Sequence, residues 1–276
     1  MPSTAPHHHS RIFSSPWPGV YSTLMDSGRH YGKHWHATFG FGVLESGAQR
    51  SGSGRGTVDS HAGNVLTHNP GEVHDGRPLG GDSRRWRMVY LEPEALAATA
   101  GCRAGGVAIG QPVIDDAPLR HTLVRLLCGL QAWDDGRRDD DALACEQALA
   151  QACELLLTRH AGVPARGDDA GDMARVRERL ADDLLRSPSL AELAACAGAG
   201  SKFQLLRRFR QAYGVTPHAW LLQQRAERAR GLIRQGLPLA QAAAQAGFAD
   251  QSHMTRIFAR HFGFTPGAWR HAARPQ

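Results

Sequence analysis

A repeat of 49 residues limits the fold of this chain more than any other feature. Residues 190–220 laid over residues 239–269 give 13 identities in 31 positions without a gap. Alanines supply several of them. The pairs Gly198/Gly247, Arg207/Arg256, Phe209/Phe258, Gly214/Gly263, Thr216/Thr265, Pro217/Pro266 and Trp220/Trp269 put chance aside. One structural unit is written twice.

Each copy reads as helix, tight turn, helix. In the first, Ser189 and Glu192 have the spacing of a capping box. The helix LAELAACA then stops at Gly198, where a residue free to take positive φ suits a helix end. Ser201 caps a second helix whose Leu205 and Phe209, four apart, turn inward. In the second copy Gly247 makes the turn, Asp250 caps, and Met254 and Phe258 point inward. Thr216-Pro217 opens a further helix, PHAWLLQQRAERARGLIRQ, about 28 Å long at 1.5 Å per residue. Such a helix-turn-helix can place its second helix in a DNA major groove. The long connector would hold two of them roughly one DNA turn apart, on one face of the duplex.

Charge agrees with that reading. From Gly171 onward the chain has 16 Lys+Arg against 7 Asp+Glu, and the remainder has 16 against 19. A basic half joined to a mildly acidic one predicts one part that meets a polyanion and one that does not. The stretch AGVPARGDDAGD, residues 161–172, has a linker's composition.

The acidic part is expected to begin as strands. FGFGVLES, GNVLTHNPG and RWRMVYLE are short β-rich segments between glycine turns. In the last, Trp86, Met88 and Tyr90 share one face, and Arg85, Arg87 and Val89 the other. Helical spacing follows. Leu119, Leu123, Leu126, Leu130 and Trp133 form one stripe, and a second helix is expected from about Ala142 to His160. These helices either pack on the strands or offer the first stripe as a dimer seam. The opening MPSTAPHHHSRIF lacks the apolar core of a signal peptide, and His7–His9 read as part of a disordered tail. No apolar run reaches the ~18 residues of a membrane span. Five scattered cysteines without a CxxC fit free thiols in a reducing cytosol.

GFADQSHMTRIFARHFGFTPGAWR, from Gly247, resembles the C-terminal signature of the AraC/XylS family of bacterial transcription regulators. GKHWHATFGFGVLESG and GNVLTHNPGEVHDGRP resemble, less specifically, that family's cupin-like sensor. The resemblance implies an α+β chain of two domains. Residues 1–165 would be a cupin-like β-barrel or jelly roll with trailing helices, which binds an effector and dimerises. Residues 166–276 would be an all-α DNA-binding domain with two helix-turn-helix units joined by a long helix. Base contacts fall on Phe203, Leu206 and Arg207 in the first unit, and on Gln251, Ser252, His253 and Arg256 in the second. Arginine can bond guanine bidentately and glutamine can bond adenine. Phe203 and Leu206 can touch thymine methyls or serve as extra core.

His34 and His36, two apart, face one way on a strand, and His74 follows the Pro70-Gly71 turn. These histidines can hold Zn²⁺ or Fe²⁺, line an organic-ligand pocket, or pack. The sequence expectation is a pocket without a metal or other cofactor, with Glu72, Asp75 and Arg87 as further polar groups. Glu45 lies farther from the pair than a metal-binding cupin requires of its carboxylate. The resemblance thus implies a non-enzymatic cytoplasmic regulator, more often an activator. Its expected partners are double-stranded DNA, a small-molecule effector, a second copy of the chain and, for an activator, RNA polymerase. The alternative is a metal-binding cupin, enzymatic or metal-sensing, fused to a DNA-binding domain.

Overall fold

The computed structural model describes residues 6–101, 107–136, 142–162 and 171–273. Cys102 and most of the expected linker lie outside them. The chain falls into two compact units: residues 1–32 with 36–164 form the first, and residues 165–276 with the short stretch Lys33–Trp35 form the second.

The first unit opens with β1 (His8–Phe13), β2 (Val20–Ser27), β3 (Tyr31–His34), β4 (Phe39–Ser46), β5 (Ala48–Ser53) and β6 (Gly56–His61). There follow β7 (Val65–His68), β8 (His74–Pro78), β9 (Arg84–Leu91), α1 (Pro93–Ala100), β10 (Ala108–Ile109) and β11 (Val113–Ile114). Helices α2 (Ala117–Asp134) and α3 (Ala142–His160) and strand β12 (Ala161–Gly162) complete it. One sheet has the order β1-β2-β9-β4-β7-β11, a second β3-β8-β5-β6, and β10 pairs with β12. Buried Arg84 of β9 links the two larger sheets. It donates to the Gln49 side chain of β5 at 2.7 Å and to the Gly76 carbonyl of β8 at 3.2 Å.

Alternation along β9 decides what each face meets. Val89 and Leu91 turn to the helices, where they join Phe41, Val43, Leu119, Leu123, Leu126, Leu130, Leu149, Cys153 and Leu156 in one core. The leucine stripe of α2 is therefore not a dimer seam. Leu119, Leu123, Leu126 and Leu130 are each 0% exposed, covered by strands and α3 of the same chain. Each stabilises the fold by roughly 1.5–3 kcal/mol through burial.

The N-terminal expectation is also corrected. His8 and His9 belong to β1, which pairs with β2 from His8↔Ser27 to Phe13↔Ser22. Ile12 and Phe13, both buried, anchor that strand. The polar composition of the preceding residues hid this short edge from a compositional reading.

The second unit holds α4 (Asp172–Asp182), α5 (Leu190–Cys196), α6 (Lys202–Tyr213) and α7 (Pro217–Arg234). It ends with α8 (Leu239–Gln245), α9 (Gln251–Phe262) and α10 (Pro266–Ala272). The 49-residue offset holds at both ends of the α5/α8 and α6/α9 pairs and at the starts of α7 and α10. No helix among the described residues is long and apolar enough to cross a membrane.

Candidate functional site

The two reading helices are built by matching local chemistry. Ser201 accepts from the Gln204 amide at 3.2 Å, and Asp250 accepts from the His253 amide at 2.6 Å, so both helices start on a side-chain cap. Both end on a left-handed glycine, Gly214 at φ 72° and Gly263 at φ 78°. Leu205 and Phe209 in α6, and Met254 and Phe258 in α9, are 0% exposed. That burial fixes which face each helix turns outward.

On α6 the outward face carries Phe203, Arg207 and Arg210, with Leu206 half-buried. Phe203 is 85% exposed, which removes the reading of it as extra core. On α9 the outward face carries Gln251, Ser252, Arg256 and Arg260. His253 is half-buried, its ring set edge-on to Phe248 at 5.4 Å. All seven positions expected to meet bases therefore lie on two helices of one scaffold, five of them exposed.

Part of the basic surplus is used inside the unit, which charge counting missed. Arg225 is buried and donates to the Leu184 carbonyl at 2.7 Å and to Ser187 Oγ at 3.0 Å. Arg230 is buried, pairs with Glu227 at 2.9 Å and sits over the Trp269 ring at 5.4 Å. Arg208 donates to Asp172 at 2.9 Å, and this contact is the main reason the Asp172 carboxyl lies below its ordinary range. Arg207, Arg210, Arg228, Arg256 and Arg260 remain exposed.

In the first unit the expected sensor residues separate into two groups. His36 and His74 stand together, with ring centroids 5.3 Å apart, whereas His34 belongs to the short stretch Lys33–Trp35 that clusters with the second unit. His74 Nδ1 is 2.8 Å from the Glu72 carbonyl oxygen. A carbonyl only accepts, so Nδ1 carries the proton and Nε2 keeps its lone pair. Burial pushes the His74 imidazole below its ordinary pKa and keeps it neutral. The Glu72 carboxylate takes a bidentate pair from Arg55 and a bond from Asn69 Nδ2 at 3.0 Å.

Arg87 is not with them. It shares the face of β9 that turns to the helices, pairs with Glu45 and reaches Cys128 Sγ of α2 at 3.4 Å. Glu45 also takes Arg85 at 3.0 Å. The carboxylate that seemed too distant in sequence is thus committed to two arginines.

Sequence reasoning passed over His68. Its ring centroid lies 4.8 Å from that of His36, 5.0 Å from His74 and 5.6 Å from Tyr90. It covers Gly40, its cross-strand partner, where a Cβ would stand 2.0 Å from the ring. Tyr90 in turn stacks on Tyr21 at 4.8 Å. Burial pushes the Tyr90 phenol up to about 12. The signal was available in principle, since His68 ends a strand just before the same Pro-Gly turn that precedes His74.

Comparison with known proteins agrees with both units. Residues 18–153 match the AraC-like ligand binding domain, and residues 193–272 match a helix-turn-helix domain. One relative is the uncharacterized HTH-type transcriptional regulator YbfI of Bacillus subtilis (strain 168), 26% identical over 208 residues, 74% of each chain. The crystal structure of ToxT from Vibrio cholerae O395 aligns over 98% of this chain and 99% of its own, with TM-score 0.50 and 10% identity. Wild-type ToxT from strain SCE256, solved with an unsaturated fatty acid, aligns over 99% and 98%, with TM-score 0.51 and 12% identity. At those identities the likeness is one of fold. With a ligand-binding domain of this type ahead of a double helix-turn-helix, the chain belongs to the AraC family of effector-responsive transcription regulators.

Proposed function

We propose that α6 and α9 read two successive major grooves on one face of the DNA. Phe203, Leu206 and Arg207 face bases in one groove, and Gln251, Ser252, His253 and Arg256 in the other. The observation that carries this is the shared offset. Arg207 and Arg256 occupy the same exposed position on two copies of one scaffold. The copies are joined by α7, whose 18 residues span about 27 Å. Arginine at such a position suits the acceptor edge of guanine. The exposed Arg210, Arg228 and Arg260 supply phosphate contacts, which position the protein without reading sequence.

In this reading residues 1–165 form the sensing domain and residues 166–276 the DNA-binding domain. The effector is a small organic molecule whose site includes His34, His36, Glu72 and His74, with Arg87 left outside by its orientation. The chain acts in the cytoplasm as a homodimeric activator that contacts RNA polymerase, and carries out no catalysis. With the leucine stripe of α2 internal, the dimer forms through another face. Genome-wide mapping of bound DNA tests the proposal. A shared motif with two recognition blocks about one helical turn apart supports it. Binding spread without a motif overturns it.

A further inference from the structure

We propose that Phe203, Leu206 and Arg207 together read the C5-methyl group of a pyrimidine within two base pairs of a guanine. At that place 5-methylcytosine serves as well as thymine, so methylation of cytosine creates sites for this protein. The inference rests on the reading in which α6 faces bases, and goes beyond it by naming a modified base as a ligand.

Three observations carry it. First, Phe203 stands apart from the other phenylalanines. The chain has nine. Phe203 is 85% exposed, and the other eight are 5% exposed or less. Its apolar area therefore contributes nothing to the core and is left for a contact outside the fold. Second, Phe203 precedes Leu206 by three residues and Arg207 by four, so both stand beside it on the next helical turn. Leu205 and Phe209, 0% exposed, fill the inward face. Leu206 is half-buried and Arg207 exposed. Four residues rise about 6 Å along a helix, and stacked base pairs are about 3.4 Å apart. An aromatic ring and a guanidinium so spaced reach base pairs one or two apart. Third, the second copy has the arginine without the apolar pair. Ser252 and Thr255 occupy the places of Phe203 and Leu206, and Arg256 that of Arg207. The scaffold therefore does not require a phenyl ring there.

The chemistry of the major groove gives the pair its target. Thymine presents a C5-methyl group and the O4 acceptor, whereas cytosine presents the N4 amino donor. 5-Methylcytosine carries the same methyl group on the same ring carbon. Phe203 and Leu206 have no side-chain donor or acceptor, so they distinguish the methyl group and not O4 from N4. Thymine and 5-methylcytosine fall together for such a reader, and uracil and cytosine fall together without it. Arg207 supplies the bidentate bond that fixes the guanine.

The test presents the full-length chain with two randomised duplex libraries, one ordinary and one with 5-methylcytosine in place of cytosine. The ordinary library should fix thymine at one position of the first block, and the methylated library should yield thymine or 5-methylcytosine there. In a fluorescence titration of the selected duplex, deoxyuridine for that thymine should weaken binding about fourfold, the worth of one buried methyl group. Phe203→Ser introduces the residue of the second copy at a position the core does not use. It should abolish the deoxyuridine penalty and leave the preference for guanine intact. An enriched motif bound equally well with thymine and deoxyuridine overturns this proposal alone. So does a deoxyuridine penalty undiminished in Phe203→Ser. Absence of any enriched motif removes the base-reading role of α6, and this proposal with it.

Discussion

Gly198 and Gly247 hold the same place in the two repeats, yet alanine should cost far more at one than at the other. Both have positive φ, 56° and 87°, so an alanine at either bears the left-handed penalty of about 1–2 kcal/mol. Beyond Gly198 there is open space: an added Cβ meets nothing within 4 Å. At Gly247 the same carbon would stand 2.3 Å from the Leu184 carbonyl oxygen and 2.9 Å from Arg225 Nε. That oxygen accepts the 2.7 Å bond from buried Arg225. Making room means moving backbone and losing a bond to a buried cation. Overpacking costs about 1–3 kcal/mol and a hydrogen bond to a charged group about 1.5–3 kcal/mol. Gly247→Ala should therefore cost about 4 kcal/mol or more, and Gly198→Ala about 1 kcal/mol. Hydrogen exchange on the full-length chain reads both locally. Protection of α5 and α6 amides should fall about tenfold in Gly198→Ala, and that of α8 and α9 about a thousandfold in Gly247→Ala, at 1.4 kcal/mol per tenfold. Equal losses would show that the close approach to Leu184 contributes nothing, and the reasoning would fail.

DNA binding should weaken steeply with salt, with a slope of about −0.9 per phosphate neutralised. A flat response in a fluorescence titration would remove the phosphate role of the exposed arginines. Arg256→Ala, and Arg207→Ala in the first unit, should each lose about 1–3 kcal/mol on the mapped site and much less on scrambled duplex. Equal losses on both duplexes would make these phosphate contacts. Inserting five base pairs between the two recognition blocks turns one to the opposite face, so affinity in a gel-shift assay should drop towards that of a single unit; full retention would mean that α7 does not hold the readers rigidly. The Tyr90 phenol is raised in the fold to about 12 from an ordinary value of 10. The folded state therefore holds a proton that the unfolded state has lost between those values. That contribution to stability is complete below pH 10 and disappears as pH rises to 12. Tyr90→Phe should flatten this part of the stability profile measured by urea unfolding, and an unchanged slope would assign the loss to other groups.

The second unit was legible because its instructions are local. Caps, turn glycines and inward pairs four residues apart act within a few residues of themselves, and each appears in the fold where its spacing puts it. The first unit was legible only in outline. The face alternation of β9 was readable, but what each face meets was not. Arg87 was expected among the polar groups of the histidine pocket. The sheet sends it to the helix side, where Glu45 waits 42 residues away in sequence. The α2 stripe allowed two partners, and only the fold shows that strands and α3 of the same chain cover it. His68 carried no motif of its own. Its place beside His36, His74 and Tyr90 comes from strand pairing, which no window of sequence displays.

The repeat also separates what holds the reading helices from what they read. Identities between the copies fall on buried alanines (Ala194/Ala243, Ala197/Ala246), on the inward Phe209/Phe258, on the turn glycines, and on Thr-Pro and tryptophan at the start of the next helix. These positions set where α6 and α9 lie and how they are rotated. The outward positions differ instead: Phe203 against Ser252, Gln204 against His253, Leu206 against Thr255. The exception is Arg207/Arg256, identical and exposed in both copies. In the proposed reading, two helices on one scaffold with different outward faces would present different chemistry to two grooves. The first copy offers an aromatic and an aliphatic side chain, suited to thymine methyls and shape. The second offers an amide, a hydroxyl and an imidazole, suited to hydrogen-bonded base edges. A site for this protein should accordingly be asymmetric within each monomer, with one block defined by methyl contacts and the other by donors and acceptors, and a guanine fixed by arginine in each.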